Sequence, residues 1–399
     1  MTTIGDRIRS LREFRDLTRE QLAERADVSV DTIKVLERNR RETARIDTIR
    51  KLARALDVEL GRLVGQATVT QQLSDDGGLI ALRDAIQDYG HLPGILTDAD
   101  LEDPPGEDAW AENVNAATRL YWGGGYSELS GILPLLLRDG RAVVRETPTE
   151  RAWRQLALAY QLAACLSAQA GHPDWAYTAV EKQLVAAGKA SDPLMEGMGV
   201  STLSWVLLRQ GRWEQAQDIA VRKADALEPS FRATPAALAV YGNLLVAAAC
   251  PAARRGHHDD AFAMLARAEA AATISGPVKA YGSAFSVVDV RTQKVNVALA
   301  GEETRPGDAL EFAADVRLED ISRPVHSAAY RVDVAQAQYQ TGDWDGALET
   351  LLKVEAEQPE WIRFQALAAV TVREMLESER RRSSPLRSLA ARLGVEPGM

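Results

Sequence analysis

Apolar residues recur at spacings of three and four through residues 4–14, where Ile4, Ile8, Leu11 and Phe14 mark one side and Arg7, Arg9, Arg12 and Arg15 the other. At 3.6 residues per turn this is one buried stripe on an amphipathic helix. Thr18 and Gln21 fit a capping box, with the hydroxyl accepting from an unpaired backbone N–H and the carboxamide reaching back. A second, short helix then runs through Leu22 to Arg25. Asp27 falls where the chain must turn, and Asp tolerates the left-handed region better than most residues. Ser29 offers a new cap. From Val30 to Arg38 the stripe is Ile33 and Leu36, which leaves Val30, Asp31, Thr32, Lys34, Val35 and Arg38 facing outward. Asn39 suits a left-handed stop before the basic loop of Arg40 and Arg41. Ile46, Ile49, Leu52 and Leu56 predict a fourth helix, and a short one around Leu60 and Leu63 completes a five-helix unit over residues 1–65.

Residues 66–107 read as a linker with one helix, because QATVTQQLSDDGG lacks periodicity and a Gly-, Pro- and Asp-rich loop follows Tyr89. Beyond it the chain repeats over residues 108–378. Pro148, Pro193, Pro235, Pro277 and Pro324 recur at intervals of 45, 42, 42 and 47 residues, with Thr147, Asp192 and Thr234 placed to cap. Gly171, Gly211, Gly256, Gly301 and Gly342 alternate with them at intervals of 40, 45, 45 and 41. Proline is favoured where a helix starts and glycine where one stops, so each proline is expected to open a long helix and each glycine to close it. Ala176, Ala216, Ala261 and Ala347 fall five places after four of the glycines, where a small residue lets the second helix of a pair approach the first; EETRPGD interrupts the Gly301 unit. A short helix and tail occupy residues 379–399. The fold class is therefore all-α: a five-helix unit followed by a solenoid of about six helical pairs, whose first helices form a concave wall.

Composition narrows the function. No apolar run approaches the roughly 20 residues that cross a membrane, and the charged amino terminus has no signal-peptide core, so a cytoplasmic protein without membrane partners is expected. Two cysteines make no disulfide framework. Fifteen Lys or Arg against twelve Asp or Glu give residues 1–65 a net charge of +3 while the whole chain carries −10, so one end suits a polyanion and the rest repels it. His257, His258, Asp259 and Asp260 have metal-ligand chemistry but sit in an expected turn, where polar residues are ordinary. Cys165 and Cys250 share a register position and read first as small buried hydrophobes. With no phosphate loop, paired carboxylates or nucleophile motif, neither a cofactor nor an enzymatic activity is expected.

Two short helices joined by a tight turn, the second with an outward polar face, form a helix-turn-helix arrangement. The string TREQLAERADVSVDTIKVLERNRRE followed by IDTIRKLARALDV is similar to the XRE family, the Cro and phage-repressor type, across about residues 3–65. Its QLA run, TI and LE pairs and LARAL run agree with that family, while Asp27 and Asn39 stand where the family usually has glycine. The resemblance implies a DNA-binding domain. It sets Val30, Asp31, Thr32, Lys34 and Val35 against base edges, with Ser29 at the head of that helix, and Arg19, Arg38, Asn39, Arg40 and Arg41 against the phosphate backbone. So small a basic head suggests a homodimer on a pseudo-palindromic double-stranded operator.

GRWEQAQDIA and GDWDGALETLLKVEAEQP are similar to the turn and second helix of tetratricopeptide repeats, although the period is longer than theirs. Counting back from each glycine in that register selects wall residues: Gln161, Cys165 and Gln169; Ser201, Trp205 and Arg209; Asn243, Cys250 and Arg254; Arg291; and Gln336, Tyr339 and Gln340. Carboxamides, arginines and aromatics suit an extended peptide, whose backbone needs donors and acceptors and whose carboxylate needs a cation. The combination resembles the peptide-sensing regulators of Gram-positive bacteria. The expected function is a transcriptional regulator whose repeats sense a small ligand or short peptide. Constitutive protein binding by the repeats, or a scaffold that does not touch DNA, are the alternatives.

Overall fold

The computed structural model describes residues 4–15, 17–38, 46–56, 58, 78–89, 105–230, 232–378 and 384–395, and these are almost wholly helical. The amino-terminal unit contains α1 (Ile4–Phe14), α2 (Arg19–Arg25), α3 (Val30–Glu37) and α4 (Ile46–Ala55). The expected helix around Leu60 and Leu63 lies outside the described residues, as do Asn39, Arg40 and Arg41. The caps form as the chain predicts. Thr18 Oγ1 accepts from the Gln21 amide at 3.1 Å, Gln21 Oε1 accepts from the Thr18 amide at 2.8 Å, and Ser29 Oγ accepts from the Thr32 amide at 3.1 Å. Asp27 turns the chain with a φ of 47°. Ile8, Leu22, Ile33, Leu36, Leu52 and Leu56 form a shared core.

Membership of the α1 stripe differs from the expectation at two positions. Phe14 is 84% exposed and Arg12 is buried. The inward row is Ile4, Ile8 and Arg12, a strict i, i+4, i+8 set on one helix face, and a buried carboxylate draws the guanidinium in.

After α5 (Gly78–Ile86), six helical pairs follow among the described residues. They are α6 (Glu107–Gly123) with α7 (Tyr126–Glu146), α8 (Glu150–Gln169) with α9 (Pro173–Lys189), and α10 (Pro193–Arg209) with α11 (Trp213–Ala226). Next come α12 (Pro235–Arg254) with α13 (His258–Ser275), α14 (Val287–Ala298) with α15 (Pro306–Ala314), and α16 (Pro324–Thr341) with α17 (Trp344–Glu357). Of two further helices, α18 (Ala366–Ser378) packs on the last pair and α19 (Ser384–Arg392) on α18. The five periodic glycines all have φ between 79° and 92°, which a tight turn between paired helices requires and side chains resist. Ala176, Ala216, Ala261 and Ala347 are fully buried, and so is Ala309, displaced by the insertion. Asp192 and Thr234 cap the helices that Pro193 and Pro235 open; after Pro148 it is Thr149, not Thr147, that caps.

Pro277 does not open a helix. It precedes a hairpin of β1 (Val278–Ala280) and β2 (Ser283–Phe285), with Val278 opposite Phe285 and Ala280 opposite Ser283. Tyr281 and Gly282 turn it with φ of 51° and 71°, the two positive values that a type I′ turn needs. Helix α14 begins only at Val287, after the Ser286 cap.

Nor does the solenoid stay open. Helix α16 packs against α6, the Trp122 and His326 ring centroids are 4.5 Å apart, and the Arg323 guanidinium lies 4.0 Å over the Trp122 ring. Glu360 Oε2 accepts from the Ser127 amide at 2.9 Å on the same seam. Six pairs thus close into a ring. One expectation about apolar runs needs correction: Pro235–Arg254 is long and apolar enough to cross a membrane by length and composition. Within this fold 67% of that stretch is buried, packed chiefly against α11 and α13, which gives a core helix the same composition.

A Cβ on Gly301 would stand 2.6 Å from the Ala253 carbonyl oxygen, whereas one on Gly171 meets nothing within 4 Å. Because the two share a left-handed conformation, Gly171→Ala is expected to cost about 1–2 kcal/mol from backbone strain alone. Gly301→Ala should cost about 1–3 kcal/mol more for the forced contact. Urea unfolding of both variants tests this, and equal midpoints would reject the contact.

Candidate nucleic-acid interface and the chamber behind it

Helix α3 turns Ile33 and Leu36 into the core and so presents Asp31, Thr32, Lys34, Val35 and Arg38 on its other faces. Val30, expected outward, is half-buried and packs partly on the core at the first turn. Ser29 Oγ and Thr32 Oγ1 are 2.8 Å apart, so both hydroxyls are tied to the cap. Lys34 Nζ lies 3.7 Å from Asp31 Oδ1, a loose surface pair that a phosphate or base can replace at little cost.

Glu37, the last residue of α3, is fully buried. Its carboxylate accepts from Arg12 Nε at 2.6 Å and from Arg19 Nε at 2.6 Å, while Arg9 donates to its backbone carbonyl. Arg12 also donates to the Leu17 carbonyl at 2.9 Å. One carboxylate thereby fixes α1, the start of α2 and the end of α3 relative to one another. Burial alone would raise the Glu37 carboxyl, but hydrogen bonds and charge from Arg12 and Arg19 outweigh it and hold the group below the ordinary carboxylate value. Arg19, expected from the sequence as a phosphate contact, is partly committed to this internal pair. Sequence spacing gives no hint of Glu37, because an acidic residue at the end of a basic helix resembles a solvated one.

Behind this unit, inside the ring, lies a chamber of about 510 Å³. Gln161, Cys165 and Gln169 of α8, Ser201, Trp205 and Arg209 of α10, and Asn243, Cys250 and Arg254 of α12 all line it, as the glycine register predicts. Arg291, Gln336, Tyr339 and Gln340 are not among its lining residues. The hairpin resets the register of α14, so Thr292, Gln293 and Asn296 face inward while Arg291 donates to Glu269 at 2.8 Å. Helix α18 covers the end of α16: Gln336 is fully buried and accepts from Thr371, and Tyr339 Oη lies 3.1 Å from Ser378 Oγ. Gln340, with a buried side-chain oxygen, lies on that same covered end.

The glycine register does not reach Trp122 and His326 at the ring seam or, from the amino-terminal unit, Ala53, Arg54 and Val58, all of which line the chamber. Arg54 donates to Glu302 at 2.9 Å and lies 5.7 Å from the Trp213 ring centre, so α4 forms part of the chamber wall. Val370 completes the contact from the other side by joining the amino-terminal core. The two cysteines are free thiols, and burial pushes Cys165 up to about 12. His258 is buried with Nε2 3.0 Å from the Ala300 carbonyl oxygen, a structural contact between units.

Residues 8–63 match the helix-turn-helix family model. An immunity repressor protein of Bacillus phage phi105 is 34% identical over 70 residues, which are 18% of this chain and 48% of the repressor. The chain spans about half the length of that relative. The amino-terminal unit is therefore a helix-turn-helix domain of the kind its caps and turn describe.

Glu37→Gln leaves the buried Arg12 guanidinium and the half-exposed Arg19 guanidinium without their counter-charge, and breaking the buried Arg12 pair is expected to cost about 3 kcal/mol. The folded value of Glu37 is lowered, so its contribution is complete above the ordinary Glu range and is lost as pH falls through the folded value. Hydrogen exchange is expected to quicken in α1–α3 of the variant while the ring amides keep their protection. The wild-type unit should show the same selective loosening on acidification, and the variant should lack that part of the pH response.

Proposed function

We propose that the chain is a DNA-binding transcriptional regulator whose ring of helical pairs senses a small ligand or short peptide and thereby controls operator binding. One observation carries this reading: the helix-turn-helix unit presents α3 outward while α4 of the same unit, through Arg54, walls the interior chamber. A ligand that reaches that wall of the chamber touches the DNA-binding unit directly. The similarity to a phage immunity repressor supports the DNA-binding half. In this reading Lys34 and Arg38 meet DNA with Asp31, Thr32 and Val35 nearby, and Ser29 and Arg19 lie toward the backbone. A homodimer supplies a second half-site, since one small head makes too few phosphate contacts for tight binding.

Differential affinity is what makes a sensor. A ligand that prefers the Arg54–Glu302 arrangement fixes the position of the head, and one that displaces it frees the head to move relative to its dimer mate. Arg291 and Gln336 are committed elsewhere, so the sensing set is reduced to the α8, α10 and α12 residues.

The test uses an operator obtained by in vitro selection and fluorescence anisotropy of the full chain. Lys34→Ala combined with Arg38→Ala is expected to weaken binding by about tenfold or more, and to reduce the salt slope by about 1 for each phosphate no longer neutralised. The circular dichroism spectrum should stay that of the wild type, because neither side chain enters the core. Unaltered operator affinity in a folded double variant would reject this face.

A further inference from the structure

Two carboxamides of the concave wall are already engaged within the protein. Asn243 Nδ2 donates to the Ala239 carbonyl at 2.8 Å, and Asn243 Oδ1 lies 3.5 Å from the hydroxyl of Ser283 on the hairpin. Gln161 Oε1 accepts from Gln183 at 3.3 Å. The hairpin tip lies on the same wall: the Gly282 carbonyl accepts from Trp122 Nε1 at 2.8 Å and from Arg323 at 3.1 Å, and Phe285 fills the space beside Gly242. The chain's own strand pair therefore occupies surface along which an extended peptide would lie.

What remains is compact, aromatic and positive. Trp205, Trp213, Tyr330 and His326 contribute rings to the chamber. Its described charged residues, histidine apart, are Arg54, Arg209 and Arg254 against Glu302 and Asp333. Arg54 is paired with Glu302, and Asp333 accepts from Asn296 at 3.1 Å. The Arg209 guanidinium sits 5.3 Å from the Trp205 ring centre, so cation and flat apolar surface are adjacent. The buried Nε of Arg254 has no hydrogen-bond partner among the described residues. The half-buried Arg254 is therefore a cation that an anion entering the chamber would meet, and a volume of about 510 Å³ is that of a small-molecule site.

We propose that the chamber binds a compact aryl or polycyclic carboxylate, its carboxylate received by Arg254 and Arg209 and its ring by Trp205, and that it excludes extended peptides. The proposal rests on the reading of the ring as a sensor and narrows what it senses. Arginine forks recognise carboxylates bidentately, and indole faces receive flat rings.

Isothermal titration and native mass spectrometry of the full chain test this with a panel of aryl and polycyclic carboxylates beginning at 2-naphthoate, each beside its neutral carboxamide, and with a library of linear heptapeptides. At least one acid is expected to bind one per chain and at least tenfold more tightly than its amide. Arg254→Gln should remove that preference while leaving the amide's weak binding in place, and Arg254→Lys should retain part of it. Equal binding of acid and amide, no binding by any acid, or capture of heptapeptides instead overturns the proposal. The acid–amide comparison needs only the unsubstituted chain, so a variant that fails to fold does not remove the test. Operator affinity, measured with and without the bound acid, separates the two readings. An acid that binds and leaves DNA binding unchanged sinks the sensor but keeps the site; a heptapeptide that binds and alters it keeps the sensor and sinks the site assigned here.

Discussion

Trp122 is where the ring is held shut. Its indole N–H meets the hairpin at Gly282, its ring packs at right angles to His326 of the last pair, and its face lies beneath the Arg323 guanidinium. Burial lowers the Arg323 value to about 10 against the opposing pull of Asp289, which still leaves a full cation above the indole at neutral pH. Segments far apart in the chain therefore converge on one side chain. Without that convergence the six pairs would form an open curve, and the interior would be a trough rather than a chamber.

Glu37 plays the corresponding part in the smaller unit. A buried carboxylate between Arg12 and Arg19 supplies a directional constraint that Leu and Ile cannot. Helix α3 is consequently oriented by the side it hides. Charge is thus arranged differently in the two halves: under α3 one buried carboxylate gathers guanidinium groups around itself, and around the chamber, among the described residues, three arginines and two carboxylates line an open space.

Legibility follows sequence distance. Thr18 with Gln21, Ser29, and the five glycines act on neighbours within a turn or two, and the chain reveals them because local geometry has residue-specific requirements. The wall positions on α8, α10 and α12 follow from the same spacing, since those three pairs are regular. Pro277 breaks the pattern, because its period alone marks it as a helix start. The following VKAYGSAF segment carries a competing signal, a Tyr-Gly turn between two short β-compatible runs, and the tertiary contacts of Phe285 and Gly282 decide in its favour. Arg291 and Gln336 depart from the register for separate reasons, the first through that hairpin and the second through a helix that comes later in the chain. Neither the ring seam nor the inward turn of Arg12 has any local signature, because each depends on a partner far away.

A closed ring also fixes how the protein can change over generations. Open solenoids gain and lose repeats readily, since each unit contacts only its neighbours and a duplication merely lengthens the stack. Here a seventh pair would carry His326 and Arg323 past Trp122, and a deletion would leave them short of it. Copy number is therefore constrained by geometry, whereas substitutions on the chamber wall and insertions at hairpin turns, such as the one that follows Gly301, leave the seam in register.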